Sequence, residues 1–377
     1  MITIPLPKYL ANCISILTIL QLLGGCTTNT RIAAETNNTS THRTHSSSHP
    51  TADNSVLSER EDASQSSFNG SSVSSPLTKA TDTTNSLKLL TVEKARITGK
   101  LDNDQLNEVS GLVASRRYPG LLYAINDSGN PAALYAMDET GKLLAQWQVN
   151  ARNRDWEDMA YINLAGKQYL VVGDTGDNLR IHKTATLLLF EEPSFPANTG
   201  TLNPAYTIRF RYDDGPRNVE AFAVVDRTLF FLSKEPVGIN GSEPAGVYEL
   251  NLPENLDEVA AETPMIANRI SSMPPRLGGL ESKLAAAFAG IDLSHPTAMA
   301  FDASGKTAYI LTYREVLRIR RKSQQSWAEA FALRAETLFS HRLDQAEALA
   351  ISDGRAIWFT SENAGAPIWA IPIEPSR

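Results

Sequence analysis

From Ser110 onward a four-residue pattern recurs: one polar residue, one variable residue, one large apolar residue, one small or β-branched residue. It reads Ser110-Gly-Leu-Val, Glu157-Asp-Met-Ala, Glu220-Ala-Phe-Ala, Thr297-Ala-Met-Ala and Glu347-Ala-Leu-Ala, at spacings of 47, 63, 77 and 50 residues. A second apolar run follows each motif, at 121–125, 169–172, 229–232, 308–311 and 357–360. Each run ends in a polar cluster, and a third run follows at 133–137, 186–190, 246–250, 316–319 and 367–371. Short runs of Val, Ile, Leu and aromatics between Gly and Asp turns predict strands. Fourth strands are expected at 143–149, 206–210 and 332–339. The last repeat runs out of chain, so 89–97 would supply its missing strand and close a ring, leaving no open sheet edge. Repeats of this length predict an all-β, five-bladed β-propeller. A sixth blade could hide in 251–292, but the loop-like 271–279 and helical-looking 281–289 make that stretch read as an insertion.

Composition divides the chain. The averages are ordinary, 42% hydrophobic and 20% charged, but 26 of the 60 residues from Thr27 to Ser86 are Ser or Thr. That stretch has six large apolar residues, Ile32, Val56, Leu57, Phe68, Val73 and Leu77. They cannot bury enough surface to offset its ordering entropy, which predicts a disordered tether. His42, His45 and His49 lie within it as solvated polar residues or a weak metal-binding tract. The only cysteines are Cys13 and Cys26. Residues 88–377 therefore hold no disulfide, thiol nucleophile, Cys-based zinc site or iron–sulfur cluster. A net charge of −7 gives no basic footprint for a nucleic-acid polymer.

Ahead of the tether, residues 9–23 carry no charge and follow Lys8. The length suits a signal-peptide core and is short for a membrane span. It ends in Leu23-Gly24-Gly25-Cys26, which resembles the lipobox of bacterial lipoproteins. The resemblance implies a signal peptide at 1–25, a lipidated Cys26 opening a tether at 26–87, and a folded body at 88–377. Thr27, where an Asp often marks inner-membrane retention, points to an outer-membrane protein facing the periplasm or the cell surface. The membrane would then be one partner. A tether of this length spans roughly 40–45 Å as a flexible coil.

In a propeller the first strand of each blade lines the central channel. Ser110, Glu157, Glu220, Thr297 and Glu347 open the five motifs, so they would ring one channel mouth. Asp127, Asp174, Asp177, Glu235 and Glu362 from the loops, and Asp155 and Asp158 beside Glu157, would converge there. Facing carboxylates repel, and burial makes charging them more costly. A hard cation relieves both, and oxygen donors favour calcium over zinc. The alternative is that these carboxylates cap backbone amides and bind no metal. Lys234 and Arg314 end second strands on this face, either to bind an anionic substrate or to pair with nearby carboxylates. His295 lies two residues before Thr297, as a general base or a loop histidine; the body's other histidines are His182 and His341. Asp174-Thr-Gly-Asp177 would make either a separate calcium loop or a tight turn.

The Ser, Glu, Glu, hydroxyl, Glu order on successive inner strands resembles the calcium-activated nucleotidases (apyrases). That resemblance implies a five-bladed propeller with calcium held by Ser110, Glu157, Glu220, Thr297 and Glu347, Thr297 standing where the family has Ser. It also implies hydrolysis of nucleoside di- and triphosphates. The strings Asn126-Asp-Ser-Gly, Asp155-Trp-Glu-Asp and Gly173-Asp-Thr-Gly-Asp-Asn resemble a group of phytase-like or esterase-like bacterial propellers. Two functions follow as expectations. One is an envelope-anchored module binding a small anionic ligand or an envelope protein. The other is a calcium-dependent phosphohydrolase with Asp155 or Asp174 positioning water and Lys234 or Arg314 offsetting charge.

Overall fold

The computed structural model describes residues 95–373, apart from 196–199, 239–240, 260–262, 276–284, 286–291 and 353–354. The signal, the lipobox with Cys26, the tether and 89–94 of the expected closing strand lie outside the described residues.

The described strands form a β-propeller. They sort into four-stranded antiparallel units, each built outward from one motif strand. The first unit runs Val109–Ala114, Leu121–Asn126, Ala133–Asp138 and Leu143–Val149. The second runs Trp156–Leu164, Lys167–Asp174, Ala185–Glu191 and Tyr206–Tyr212. The third runs Val219–Val225, Thr228–Ser233, Ala245–Asn251 and Met265–Met273. The fourth runs Pro296–Phe301, Thr307–Thr312, Glu315–Arg320 and Glu336–Ser340. The fifth runs Ala346–Ser352, Ala356–Ser361 and Pro367–Pro372, and Arg96–Lys100 completes it from the other end of the domain. Arg96 sits opposite Ala370 and Lys100 opposite Pro367, so the ring closes a few residues later than the sequence pattern places it.

Apolar layers between successive units hold the ring together. Leu187 and Leu189 face the third unit with Phe222 and Phe231, while Leu188 and Phe190 on the same strand face the first with Tyr123 and Trp147. Both faces of such a strand are buried, which is why its sequence reads as a continuous apolar run. Further layers join the third unit to the fourth, the fourth to the fifth, and the fifth back to the first. The layer between the second and third units is the most aromatic. Phe210 stacks on Phe231 with ring centres 5.0 Å apart, and Tyr212 meets Tyr248 edge-on at 4.9 Å. Losing one such buried ring costs about 3–5 kcal/mol.

Two expectations are corrected. Residues 251–292 are not wholly an insertion, because Met265–Met273 is the outermost strand of the third unit. It also pairs in parallel with the outermost strand of the second, Phe210 opposite Met265. Most of the helical-looking 281–289 lies outside the described residues. The fourth unit's outer strand begins at Glu336 rather than 332, because a short helix, Trp327–Phe331, precedes it. Ser326 and Glu329 form a reciprocal capping box that starts this helix.

Candidate functional site at the channel mouth

The five motif residues all sit at the same structural feature. Each inner strand slips register against its neighbour at its polar residue: Ser110, Glu157, Glu220, Thr297 and Glu347 are each the residue skipped by the pairing. Such bulges re-aim a side chain out of the ladder. All five are buried.

Two of the five are straps. The Ser110 hydroxyl donates to the Trp156 carbonyl at 2.8 Å, and the Thr297 hydroxyl donates to the Ala346 carbonyl at 2.6 Å. Each acceptor immediately precedes the glutamate of the next unit. Thr175 does the same for Glu220, donating to the Val219 carbonyl at 2.9 Å.

The carboxylates separate into two groups. In the first, oxygens of Asp127, Asp155 and Glu157 all lie within 4.8 Å of one another. Three loops bring them together, and these loops hold the three strings singled out in the sequence. Asn153 donates to the carbonyls of Asn126 and Asp127 at 3.1 and 2.9 Å, which docks the first loop on the second. Asp174 accepts from the Asp155 amide at 2.9 Å and lies 3.4 Å from Arg154, so it positions the cluster from behind. Gly176 packs directly on the Glu157 and Asp155 carboxylates, where any β-carbon would overlap them. Burial, with like charge from Asp155, Glu347 and Glu220, pushes the Asp127 carboxyl up to about 8. Burial also raises Asp155, and it raises Glu157 well above the carboxylate range, with Asp127 and Glu220 adding to it. Among the described residues nothing donates a hydrogen bond to Glu157, although only 6% of it is exposed.

The second group is a continuous network. Lys234 Nζ lies 2.5 Å from Glu220 and donates to the Tyr313 hydroxyl at 2.8 Å. Tyr313 donates to Glu347 at 3.2 Å. Burial opposes the Lys234 charge, but Glu220, Tyr313 and Glu347 more than offset it and hold the ammonium protonated. Burial and Glu362 raise Glu347 well above the ordinary range, and burial pushes Glu362 up to about 7. Gln345 fixes Glu362 at 2.6 Å.

The remaining candidates have local partners. Asp158 does not reach the mouth: it is fully buried inside the channel, accepting from the amides of Met159, Phe222 and Met299. Lys234 belongs to the network above, and Arg314 donates to the carbonyls of Tyr313 and Leu343, both at 2.8 Å. Neither stands open for an anionic substrate. Asp177 pairs with His182 at 3.0 Å, and Glu235 with Arg180 at 3.4 Å. Asp174 faces Arg154 and Asp177 faces His182, so the Gly173–Asn178 loop forms no separate ligand set and instead roofs Glu157 with Gly176. His295 is buried, and burial followed by the Lys234 charge lowers its pKa. Sequence reasoning missed Asn153 and the roles of Thr175, Gly176 and Tyr313. The last three stand inside or beside strings already singled out; nothing local marks Asn153.

No protein-family model matches the chain, and no curated protein matches it. Solved structures do. The PQQ-bound form of an aldose sugar dehydrogenase from Streptomyces coelicolor superposes with a TM-score of 0.40 at 12% identity, over 74% of this chain and 98% of that one. A crystal structure of a glucose dehydrogenase gives 0.42 at 10% identity, over 74% and 99%. A putative oxidoreductase (glucose dehydrogenase) from Thermus thermophilus gives 0.39 at 12%, over 74% and 99%. Scores this low carry no argument about chemistry, and the propeller rests on this chain's own strand pairing.

Proposed function

We propose that the chain is an envelope-anchored propeller that binds its ligand through a divalent cation, calcium by its donor set, held at the acidic channel mouth by Asp127, Asp155 and Glu157. The observation that carries this reading is Glu157: a buried carboxylate with no donor among the described residues, against two more carboxylates within 4.8 Å. Left alone, such a cluster must take up protons or a cation. Three carboxylate donors with room for water suit calcium. Glu220 and Glu347 stand nearby, but Lys234 and Tyr313 already satisfy them in part. They would shape the field around the cation rather than complete its first coordination. Ser110 and Thr297 would hold the adjoining backbone.

The phosphohydrolase reading needs a free cationic side chain beside the metal, and Lys234 and Arg314 are both engaged. A binding module is therefore preferred, displayed on its tether by lipidated Cys26. Calcium titration of the melting temperature tests the metal, expecting a rise that Glu157→Gln abolishes. An unchanged melting temperature at millimolar calcium would sink it. Cys26→Ala should release the protein from membranes, and retention would overturn the anchor.

A further inference from the structure

The inner strands end at a second opening, away from the carboxylates. The motif residues lie at the start of each inner strand, whereas Ala114, Tyr161, Val224, Phe301 and Ser352, further along, line a cavity of about 220 Å³. Asp158 separates the two. Its carboxylate crosses from the second unit to the amides of Phe222 and Met299 in the third and fourth, both at 3.0 Å. The cavity therefore has its own walls and shares no residue with the acidic cluster.

The cavity combines apolar side chains with a largely polar lining and is basic at its rim. Leu112, Met159, Met299, Phe301 and Ile351 line it, and Arg116 and Arg355 stand at its edge. These two arginines come from the loops after the first and fifth inner strands, which are neighbours in the ring. Arg116 lies over the Tyr161 ring, 5.3 Å from its centre, and has no carboxylate partner among the described residues. Arg355 is half-exposed and lies 3.3 Å from Glu139. Glu192, a buried acid beside the cavity wall, is engaged by Ser115, whose hydroxyl donates to it at 2.5 Å. An apolar cavity of about 150 Å³ accepts benzene. At about 220 Å³ there is room for such a ring plus one small polar group. Arginine suits a planar carboxylate because its fork donates two parallel hydrogen bonds.

We propose that this cavity binds a small carboxylate with an aromatic or short apolar body, ring inward and carboxylate at Arg116 and Arg355. The site does not depend on a cation at the other mouth.

Three probes of one shape and different charge test it: 4-fluorobenzoate, 4-fluorobenzyl alcohol and 4-fluorobenzamidine, followed by ¹⁹F line broadening on the full chain. The anion should bind best, the alcohol more weakly and the cation least, with binding of the anion weakened by salt and unaffected by chelator. Arg116→Gln and Arg355→Gln should each weaken fluorobenzoate about three-fold, and the pair about ten-fold, as for exposed ion pairs at separate points. Ala300→Phe should fill the cavity and abolish binding of all three probes. If that variant does not fold, the exposed arginine pair still decides. Equal or tighter binding of the amidine, no binding of any probe, or no change in the double arginine variant would each overturn the proposal.

Discussion

Asp158 offers the most direct test of the channel's construction. Its Oδ1 accepts from the Met159 amide at 2.8 Å, and its Oδ2 accepts from Phe222 and Met299, both at 3.0 Å. One carboxylate thus ties together inner strands from three units. Burial pushes its pKa well up, and the three amides pull against that. In Asp158→Ala three buried amides lose their acceptor, at roughly 1–3 kcal/mol each, while relief of a desolvated charge offsets several kcal/mol. The expected net loss is about 3 kcal/mol. In Asp158→Asn the side-chain oxygen can still serve Phe222 and Met299, but the NH₂ group then faces the Met159 amide, donor to donor. That loss should be about 2 kcal/mol. Urea unfolding, read by the fluorescence of the buried tryptophans, should show a lower midpoint with an unchanged slope. Amide exchange should accelerate at Phe222 and Met299 before other strand positions. If Asp158→Ala unfolds within about 0.5 kcal/mol of the parent and exchange at those two amides is unchanged, the carboxylate does not hold the ring and the reasoning fails.

Other consequences are as specific. Asp127 and Glu362 have folded-state pKa values pushed up by burial, to about 8 and about 7. The folded chain therefore holds more protons than the unfolded one above about pH 4, so stability is full below that and falls as pH rises toward about 8. Melting temperatures in chelator should follow that slope and calcium should flatten it; a rise with pH in chelator would contradict it. Lys234→Met strands the buried Glu220 carboxylate and should destabilise by about 3–5 kcal/mol, with Glu220→Gln in the same chain restoring much of it in chemical denaturation. Gly176→Ala must push the loop off Glu157 and Asp155, with a loss of about 1–3 kcal/mol and weaker calcium binding by calorimetry.

The inner three strands of each unit were legible because both of their faces are buried, and their sequences show it as apolar runs between turns. The outer strands were less so. Met265–Met273 carries Asn268, Arg269, Ser271 and Ser272, a third of its residues are exposed, and its parallel partner belongs to another unit. No local pattern encodes that pairing. The start of the fourth unit's outer strand was misplaced because Ser326 and Glu329 nucleate a helix just upstream. At the mouth, the recurring polar residue located the ring, and the Asp- and Gly-rich strings located the loops. What composition could not reveal is which carboxylate has a partner. Glu157 and Glu220 occupy the same motif position, yet Glu220 has Lys234 beside it and Glu157 has no donor among the described residues. That difference depends on a lysine 14 residues from Glu220 and a tyrosine from the next unit.

The order of hydroxyls and glutamates around the mouth has a mechanical explanation that needs no ligand. Each glutamate follows a carbonyl strapped by a hydroxyl: Ser110 to Trp156, Thr175 to Val219, Thr297 to Ala346. Each glutamate also sits on a bulge, where the ladder no longer fixes the backbone on its own. The strap replaces the missing ladder contact and pins the carbonyl one residue before the carboxylate. Repelling side chains are thereby held in place without an ion, which would reduce the ordering that binding the proposed cation had to impose. Removing one hydroxyl, as in Thr297→Val, should lower stability by only about 1 kcal/mol. It should also weaken calcium binding modestly, because the backbone beside Glu347, which shapes the field at the cation without coordinating it, is freed. Thr297→Ser, which keeps the hydroxyl, should bind as the parent does. If both variants bind calcium equally well, the strap is a packing contact and the carboxylates are held by the bulges alone.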